Sequence, residues 1–220
     1  QYTYRQWTSS TNEFPAVTSP TITGYTASVS VVPAVTDVEE GDTIAPTTVI
    51  YTPIQESVTV KYVDDTTGQL ITSVTLKGNY GSTSDYSTKN AISQLESKGY
   101  VLVKDGFPST GITFGKSAST YTVDFTEGIT DSTQTETVKQ TINYVDQNGN
   151  QLADPHETTI TFTRPTEKNN VTGVVTNGAW TPASSVFPQV ASPTITGYTP
   201  SATESTAVTV NPDNPEDNTQ

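Results

Sequence analysis

One passage occurs twice in this chain of 220 residues, once near each end. Residues 14–28 read FPAVTSPTITGYTAS, and residues 187–201 read FPQVASPTITGYTPS. The offset is 173 positions (187 − 14 = 173), and the match extends outward to Trp7 and its counterpart Trp180. The duplication predicts a repeat unit of about 173 residues that is present here out of phase. We therefore expect the chain to be a piece of a longer protein.

A second repetition, with the pattern of a hairpin, lies between the two copies. Residues 61–70 (KYVDDTTGQL) resemble residues 143–152 (NYVDQNGNQL). Alternating apolar residues lead into the first of them, as in a strand with one buried face. Asn148-Gly149 is a strong signal for a type I′ hairpin turn, and Thr67-Gly68 is a looser version of it. Each copy therefore predicts a β-hairpin that opens a domain.

The residues after the first hairpin predict a β-grasp domain, in which a sheet folds over one helix. Ser87 or Thr88 can cap the start of the helix, Leu95 lies in its apolar stripe, and Gly99 supplies a left-handed stop. The predicted elements are hairpin strands near 57–64 and 69–77, a helix over 87–99, and strands at 100–103 and 119–125.

The residues from 131 onward predict a second, larger β-rich domain. The polar stretch 130–137 (TDSTQTET) holds no apolar residue and is expected to be a short linker. Strands are expected at 158–163, where the sequence alternates cleanly, and at 171–175, with a turn at 167–170 between them. Four prolines after Trp180 predict an extended, irregular segment that precedes an acidic tail.

The first 54 residues match the late part of this second domain and then continue further. They add the run 47–51, a predicted closing strand whose counterpart would begin at residue 220 (47 + 173 = 220). We expect residues 1–54 to be able to supply that strand to a domain like 133–220. The predicted domains are 1–54, the C-terminal part of a preceding second-type domain; 55–130, the β-grasp domain; and 131–220, a second-type domain that lacks its last strand.

Composition limits the function classes. The net charge of −13 disfavours binding to nucleic acid or to anionic membranes, since both need basic patches. The absence of cysteine excludes a disulfide framework and a cysteine-based zinc site. It favours a bacterial surface protein or a cytosolic protein over a secreted eukaryotic module. No apolar run reaches the ~20 residues of a membrane-spanning helix, so no membrane insertion is expected of this segment.

Catalysis is not expected. The single histidine, His156, lies in a predicted loop, where an ordinary exposed histidine is the simpler interpretation. Asp64-Asp65 is the most visible carboxylate pair, but it lies at a hairpin turn, where aspartate is preferred for backbone reasons. The sequence therefore predicts a chain that is not an enzyme and requires no cofactor.

A weak calcium pattern lies at the second hairpin. Asp146, Asn148 and Asn150 resemble the start of a calcium loop, but the closing glutamate of that loop is absent. A hairpin turn is the favoured interpretation, and Ca²⁺ binding by this acidic chain is the alternative.

Five aromatic residues are candidates for stacking on sugar rings. They are Trp180 and its counterpart Trp7, Tyr198 and its counterpart Tyr25, and Tyr80. For Trp180 the favoured alternative is a structural one, because one tryptophan per domain often fills the core of a thin β-domain. Exposed strand edges offer another mode, in which a strand of an immunoglobulin pairs with the β-grasp sheet.

The two hairpins and the passage Trp-Thr-Pro…Ser-Pro-Thr-Ile-Thr-Gly-Tyr-Thr resemble the mucus-binding (Mub) repeats of large lactobacillus cell-surface adhesins. The resemblance covers essentially the whole chain. It implies a mainly β (α+β) fold of elongated tandem β-grasp (ubiquitin-like) modules, a MucBP-like domain followed by a larger β-rich Mub domain.

That resemblance also implies a function and a location. We expect a non-catalytic adhesin repeat that binds the glycans of host mucin glycoproteins and gains strength from multivalency with neighbouring repeats of its parent protein. The implied location is extracellular, on a cell-wall-anchored surface protein of a Gram-positive bacterium. The alternatives are an immunoglobulin-binding module and a passive stalk spacer.

Overall fold

The computed structural model describes Thr3 and residues 12–220. The chain divides into two compact units. Unit 1 comprises Gln1–Glu96 and Val101–Thr126, and unit 2 comprises Ser97–Tyr100 and Glu127–Gln220. Among the described residues, no helix has the length and apolar character needed to cross a membrane.

Unit 1 contains a four-stranded sheet in the order β6-β5-β10-β8, with β5 and β10 parallel at its centre. This order, with one helix, is that of the predicted β-grasp domain. The elements are β1 (Val17–Thr18), β2 (Tyr25–Ala27), β3 (Val31–Val32), β4 (Tyr51–Pro53), β5 (Gln55–Asp64), β6 (Gln69–Asn79), β7 (Thr83–Ser84), α1 (Lys89–Glu96), β8 (Tyr100–Asp105), β9 (Ile112–Thr113) and β10 (Thr120–Glu127).

The core of unit 1 lies under one face of this sheet. Alternate residues of β5 point inward, and Val58, Val60 and Tyr62 are buried against Val123 and Phe125 of β10. Burial, together with a 2.8 Å hydrogen bond between its hydroxyl and that of Tyr86, raises the pKa of Tyr62. The period-two pattern of the sequence thus reports a real buried face.

Helix α1 confirms its predicted start and stop. The carbonyl of Thr88 accepts the hydrogen bond from the backbone N–H of Ile92 at 2.9 Å, which places Thr88 at the N-cap position. Its hydroxyl does not cap the helix but donates to Asp105 Oδ2 at 2.6 Å. Leu95 is buried, and Gly99 has a positive φ of 96°.

Unit 2 is built on a long hairpin within a sheet of order β13-β12-β11-β16. Strands β11 and β12 are antiparallel, and the short β16 lies parallel to β11. The elements are β11 (Ile129–Val145), β12 (Gln151–Asn169), β13 (Val175–Asn177), β14 (Ser185–Phe187), β15 (Val208–Val210) and β16 (Asn218–Thr219).

The predicted linker at 130–137 is wrong, because these residues are the first half of β11. Thr130 pairs with Lys168 and Thr137 with Thr161, so an antiparallel partner holds the whole stretch. Most of its side chains are exposed, so the strand needs no apolar residues there, and its threonines suit a pleated surface. The predicted turn at 167–170 also lies largely within β12, and the strand expected at 171–175 is observed at Val175–Asn177.

The core of unit 2 is a small cluster in which the hairpin meets the second copy of the duplicated passage. Val138 and Phe162 of the hairpin pack with Phe187 and Val210. Trp180 packs against this cluster and is partly buried.

The two copies of the duplicated passage share one local structure. Each contains the same antiparallel contacts and the same tight turn before its tyrosine. Phe14 pairs with Val35 in the first copy, and Phe187 pairs with Val208 in the second. The N–H of Ser19 donates to the carbonyl of Ser30, as that of Ser192 does to Thr203, both at 2.9 Å. In the turn, the N–H of Tyr25 donates to the carbonyl of Ile22, as that of Tyr198 does to Ile195, both at 3.1 Å.

A closing strand follows the first copy and leads directly into the β-grasp sheet. Strand β4 pairs antiparallel with β2, and only Ile54 separates β4 from β5. Ile54 donates its N–H to the carbonyl of Gly24 and accepts from the N–H of Tyr80, both at 2.8 Å. The junction is therefore hydrogen-bonded on both sides.

Candidate functional site

The predicted aromatic residues of unit 1 are packed against each other. Tyr80 lies between two glycines: a Cβ added at Gly24 would be 2.1 Å from Tyr80 Cγ, and one at Gly115 would be 2.2 Å from Tyr80 Cδ2. Tyr25 approaches the same ring edge-on, with centroids 6.2 Å apart. The ring of Tyr80 is therefore half-buried against Gly24, Gly115 and Tyr25, and sugar stacking by these residues stays a prediction.

The structure places Trp180 in the core contact described above and not on an open platform. The guanidinium of Arg164 lies over its ring, 4.5 Å from the centroid. Its indole Nε1 is buried and has no hydrogen-bond partner among the residues that the structure describes. This packing fits the structural interpretation of Trp180. The counterpart Trp7 lies outside the described residues.

Tyr198 is 52% exposed and lines a groove of about 870 Å³ in unit 2. We call this the strand groove. One wall is the end of β11 and the start of the hairpin turn, residues 142–148, and the other runs through residues 192–206. Gln220 also lines the strand groove.

Asp146, Asn148 and Asn150 form a closed turn. Asp146 Oδ1 accepts the backbone N–H groups of Asn148 and Asn150, and Oδ2 accepts the Asn150 side-chain amide, all at 2.8 Å. The Asn150 amide, followed by its backbone N–H, lowers the pKa of Asp146. Asp146 thus serves the hairpin turn, and calcium binding here stays a prediction. In the part of the chain that the structure describes, no three His, Asp or Glu side chains cluster as metal ligands would.

The residues considered for catalysis have structural partners. His156 Nε2 lies 3.1 Å from the hydroxyl of Thr158. Asp64 is buried and accepts the Thr66 N–H and the Thr67 hydroxyl, both at 2.9 Å. Each of these contacts joins residues of a single strand or turn: His156 and Thr158 both lie in β12, and Asp64 bonds within the first hairpin turn.

The outward face of the unit 1 sheet is a polar surface that the sequence reading missed. Cross-strand pairs place Thr59 beside both Thr75 and Thr120, and Lys61 beside Ser73. The sequence signal for this surface was the set of polar residues that alternate with the buried apolar residues along the same strands. We call this surface the outer sheet face; its residues are Ser57, Thr59, Lys61, Ser73, Thr75, Lys77, Thr120 and Thr122.

Comparison with protein families decides the class of the chain. Residues 1–55 and 129–220 match the model of the Muc B2-like domain, and residues 56–127 match that of the Mucin binding domain. The chain belongs to the Muc B2-like domain family. Its Mucin binding domain segment coincides with the β-grasp sheet of unit 1.

Solved structures agree with this assignment. The chain is 38% identical to Mub-RV, with a TM-score of 0.62, over 74% of this chain and 95% of that one. It is 32% identical to a type 2 repeat of the mucus binding protein MUB from Lactobacillus reuteri, with a TM-score of 0.50 and the same coverage. The predicted resemblance to Mub repeats and the predicted β-rich fold of tandem domains are therefore confirmed.

One curated relative matches a smaller part of this chain. The chain is 43% identical over 103 residues to Internalin J of Listeria monocytogenes serotype 4b (strain F2365). These residues are 47% of this chain and 10% of that protein. The families and structures that the Muc B2-like chain matches are binding domains and adhesin repeats, which confirms the prediction that it is not an enzyme.

Proposed function

We propose that this Muc B2-like chain is a repeat of a bacterial surface adhesin that binds the glycans of mucin glycoproteins. The observation that carries the proposal is the match of residues 56–127 to the Mucin binding domain, on a sheet whose outward face is open and polar. The relatedness to a mucus binding protein repeat supports it. The proposal includes an extracellular location on a cell-wall-anchored parent protein, and the relatedness to a mucus binding protein repeat supports the surface location.

We place the glycan contacts on the outer sheet face. Its hydroxyl groups can donate to and accept from sugar hydroxyls. Lys61 and Lys77 lie on this face, four residues apart along the paired strands β5 and β6, in a chain of net charge −13. Their ammonium groups suit acidic sugars, such as those with carboxylate or sulfate groups. Each contact on so open a surface is weak, so avidity comes from several repeats acting together.

The test is binding of the chain to immobilised mucin. The double variant K61A/K77A is expected to bind about three- to tenfold more weakly, because it loses two exposed ionic contacts. The double variant K89A/K116A is the matched control, since it removes the same charge from two other exposed lysines. Equal binding by the two variants would contradict the placement.

Absence of mucin binding by the unmodified chain would contradict the function itself and would favour a spacer. A pull-down with antibody fragments tests the immunoglobulin alternative in the same series. Isolated sialylated and sulfated glycans, compared with neutral ones, test whether the lysines select acidic sugars.

A further inference from the structure

The strand groove has an incomplete strand along one wall. Strand β16 pairs with β11 only at Gln140 and Thr141. The last residue continues this ladder, since Gln220 donates to the carbonyl of Thr141 at 2.9 Å and accepts from the N–H of Asn143 at 2.8 Å. In a parallel ladder the next bonds would use the carbonyl of Asn143 and the N–H of Val145. Among the described residues, no strand pairs with this edge of β11 beyond that point.

The first hairpin shows how far such a ladder extends. By the hairpin alignment, Thr59 and Asp64 of β5 correspond to Thr141 and Asp146 of β11. In unit 1, β10 pairs with β5 along the whole stretch from Thr59 to Asp64. The equivalent edge of unit 2 beyond the Gln220 contact, residues 143–146, has no partner strand among the described residues and lines the groove.

The opposite wall belongs to the duplicated passage, and in unit 1 its counterpart is occupied. There β4 pairs with β2, and the N–H of Ser28 donates to the carbonyl of Ile50 at 2.7 Å. The N–H of Ile50 donates to Ser28 Oγ at 2.9 Å, and the Tyr51 hydroxyl donates to the carbonyl of Pro20 at 2.6 Å.

The same acceptors and donors recur in the strand groove. At the offset of 173, Ser28 corresponds to Ser201 and Pro20 to Pro193, and both of these line the groove. The passage already holds the same turn and the same serine contact without an occupant, because Ser192 Oγ donates to Ala202 O at 2.7 Å as Ser19 Oγ does to Val29 O at 2.6 Å. An occupant therefore meets a preformed site and pays little ordering entropy.

We propose that the strand groove binds an extended polypeptide segment with the sequence of residues 48–53, Thr-Val-Ile-Tyr-Thr-Pro. The segment adds a strand that is parallel to residues 142–146 and antiparallel to residues 198–201. Its tyrosine hydroxyl donates to the carbonyl of Pro193, and the N–H of its isoleucine donates to Ser201 Oγ. This is recognition by strand addition, in which main-chain bonds supply affinity and a few side chains supply specificity.

A labelled synthetic peptide of residues 48–54 is the direct test, with fluorescence anisotropy as the readout and the full chain as the receptor. We expect saturable binding to one site per chain. The variant S201A removes an exposed acceptor and is expected to weaken binding by about two- to tenfold. The matched control S28A removes the same group from the occupied copy and is expected to leave binding unchanged.

Three results would overturn the proposal. One is the absence of saturable binding. Another is weaker peptide binding by the S28A variant and unchanged binding by S201A, which would show that the peptide exchanges with β4 in unit 1. The third is displacement of the peptide by soluble mucin, which would assign the groove to a glycan. Mucin binding through the outer sheet face is independent of all three results.

A variant with residues added after Gln220 provides a second test of the proposal. Residue 220 occupies the position of Thr47, so Thr-Val-Ile-Tyr-Thr-Pro added after Gln220 would enter the groove in register. Calorimetry is expected to show a higher melting temperature for unit 2, and the labelled peptide should no longer bind. A control extension, Thr-Pro-Ile-Pro-Thr-Pro, removes strand donors and is expected to change neither property. Equal behaviour of the two extensions would overturn the proposal.

Discussion

The two copies of the duplicated passage have the same local structure and different surroundings. In the second copy, Phe187 is fully buried against Val138 and Phe162 of the long hairpin. In the first copy, Phe14 makes the same strand contact but is 54% exposed, because no second-type hairpin among the described residues covers it. Conversely, the first copy is closed by β4 and Tyr80, whereas the second copy faces the strand groove.

Comparing the two copies distinguishes the local structure that the passage forms in both from the burial that depends on the elements around it. The tight turn before the tyrosine forms within the passage in both copies. The short strand pairs join the passage to the residues just after it, 30–35 in the first copy and 203–208 in the second. Burial, and with it most of the stability, depends on the hairpin on one side and the closing strand on the other. Within the described residues, the hairpin contacts the second copy and the closing strand pairs with the first.

The phenylalanine pair gives the largest expected contrast. F187A removes a fully buried ring from a small core and is expected to lower the free energy of unfolding of unit 2 by about 3–5 kcal/mol. F14A removes a half-exposed ring and is expected to cost less than about 1 kcal/mol. Urea denaturation of both variants measures the two values. Similar costs would show that Phe14 has a partner of its own.

The glycine before each tyrosine gives the next contrast. Gly24 and Gly197 have φ values of 80° and 85°, so alanine strains the backbone alike at both positions, by about 1 kcal/mol. Only at Gly24 does the added methyl group meet the ring of Tyr80. We expect G24A to cost about 1–3 kcal/mol more than G197A, and calorimetry of the two variants is the measurement. Equal melting temperatures of the two variants would contradict the expected contact between the added methyl group and Tyr80.

The second duplicated feature, the hairpin turn, gives a pH-dependent contrast. The lowered pKa of Asp146 means that its carboxylate stabilises the fold above the pKa of the unfolded state, and that this contribution is lost as the pH falls through the folded-state pKa. D146A should therefore melt below the unmodified chain at about pH 7, and the gap should close towards about pH 2. Thermal melts across this range are the measurement. A gap that is independent of pH would mean that the carboxylate is not the stabilising group.

The smallest expected contrast is between the two serines that brace the passage. Ser19 and Ser192 each donate to a carbonyl ten residues later in an exposed setting. S19A and S192A should each cost about 0.5–1 kcal/mol, because each loses one equivalent hydrogen bond. A clear difference between the two melting shifts would contradict the equivalence of the two copies.

Local signals in the sequence predicted the elements that depend on local chemistry. The hairpin strands of unit 1 and helix α1 lie where alternation and capping residues indicate them. A hairpin turn also forms near Asn148-Gly149, but the predicted type I′ is wrong, because only Gly149 of the pair has a positive φ and its N–H donates to the carbonyl of Asp146. The stretch 130–137 was misassigned because a strand whose side chains are mostly exposed needs no apolar residues, and only its pairing with β12 reveals it.

The site residues show the same limit. Tyr80 stays a candidate for sugar stacking, but its packing against Gly24 and Gly115 could not be predicted, because these glycines are distant in sequence and no local pattern reports such contacts. Trp180 is a similar case, because its contacts come from Arg164 and a core assembled from three separate segments. The strand groove was indicated only indirectly, by the register of the duplication. The outer sheet face follows from the alternation but carries no distinctive motif.

The single residue between β4 and β5 has a mechanical consequence. Since Ile54 is tied to Gly24 on one side and to Tyr80 on the other, the backbone has no slack where the closing strand becomes the first strand of the Mucin binding domain. If the chain acts as the proposed adhesin repeat, tension along it would load both bonds together with the β2–β4 ladder, so the junction should hold until these bonds rupture jointly and should not stretch like a flexible tether.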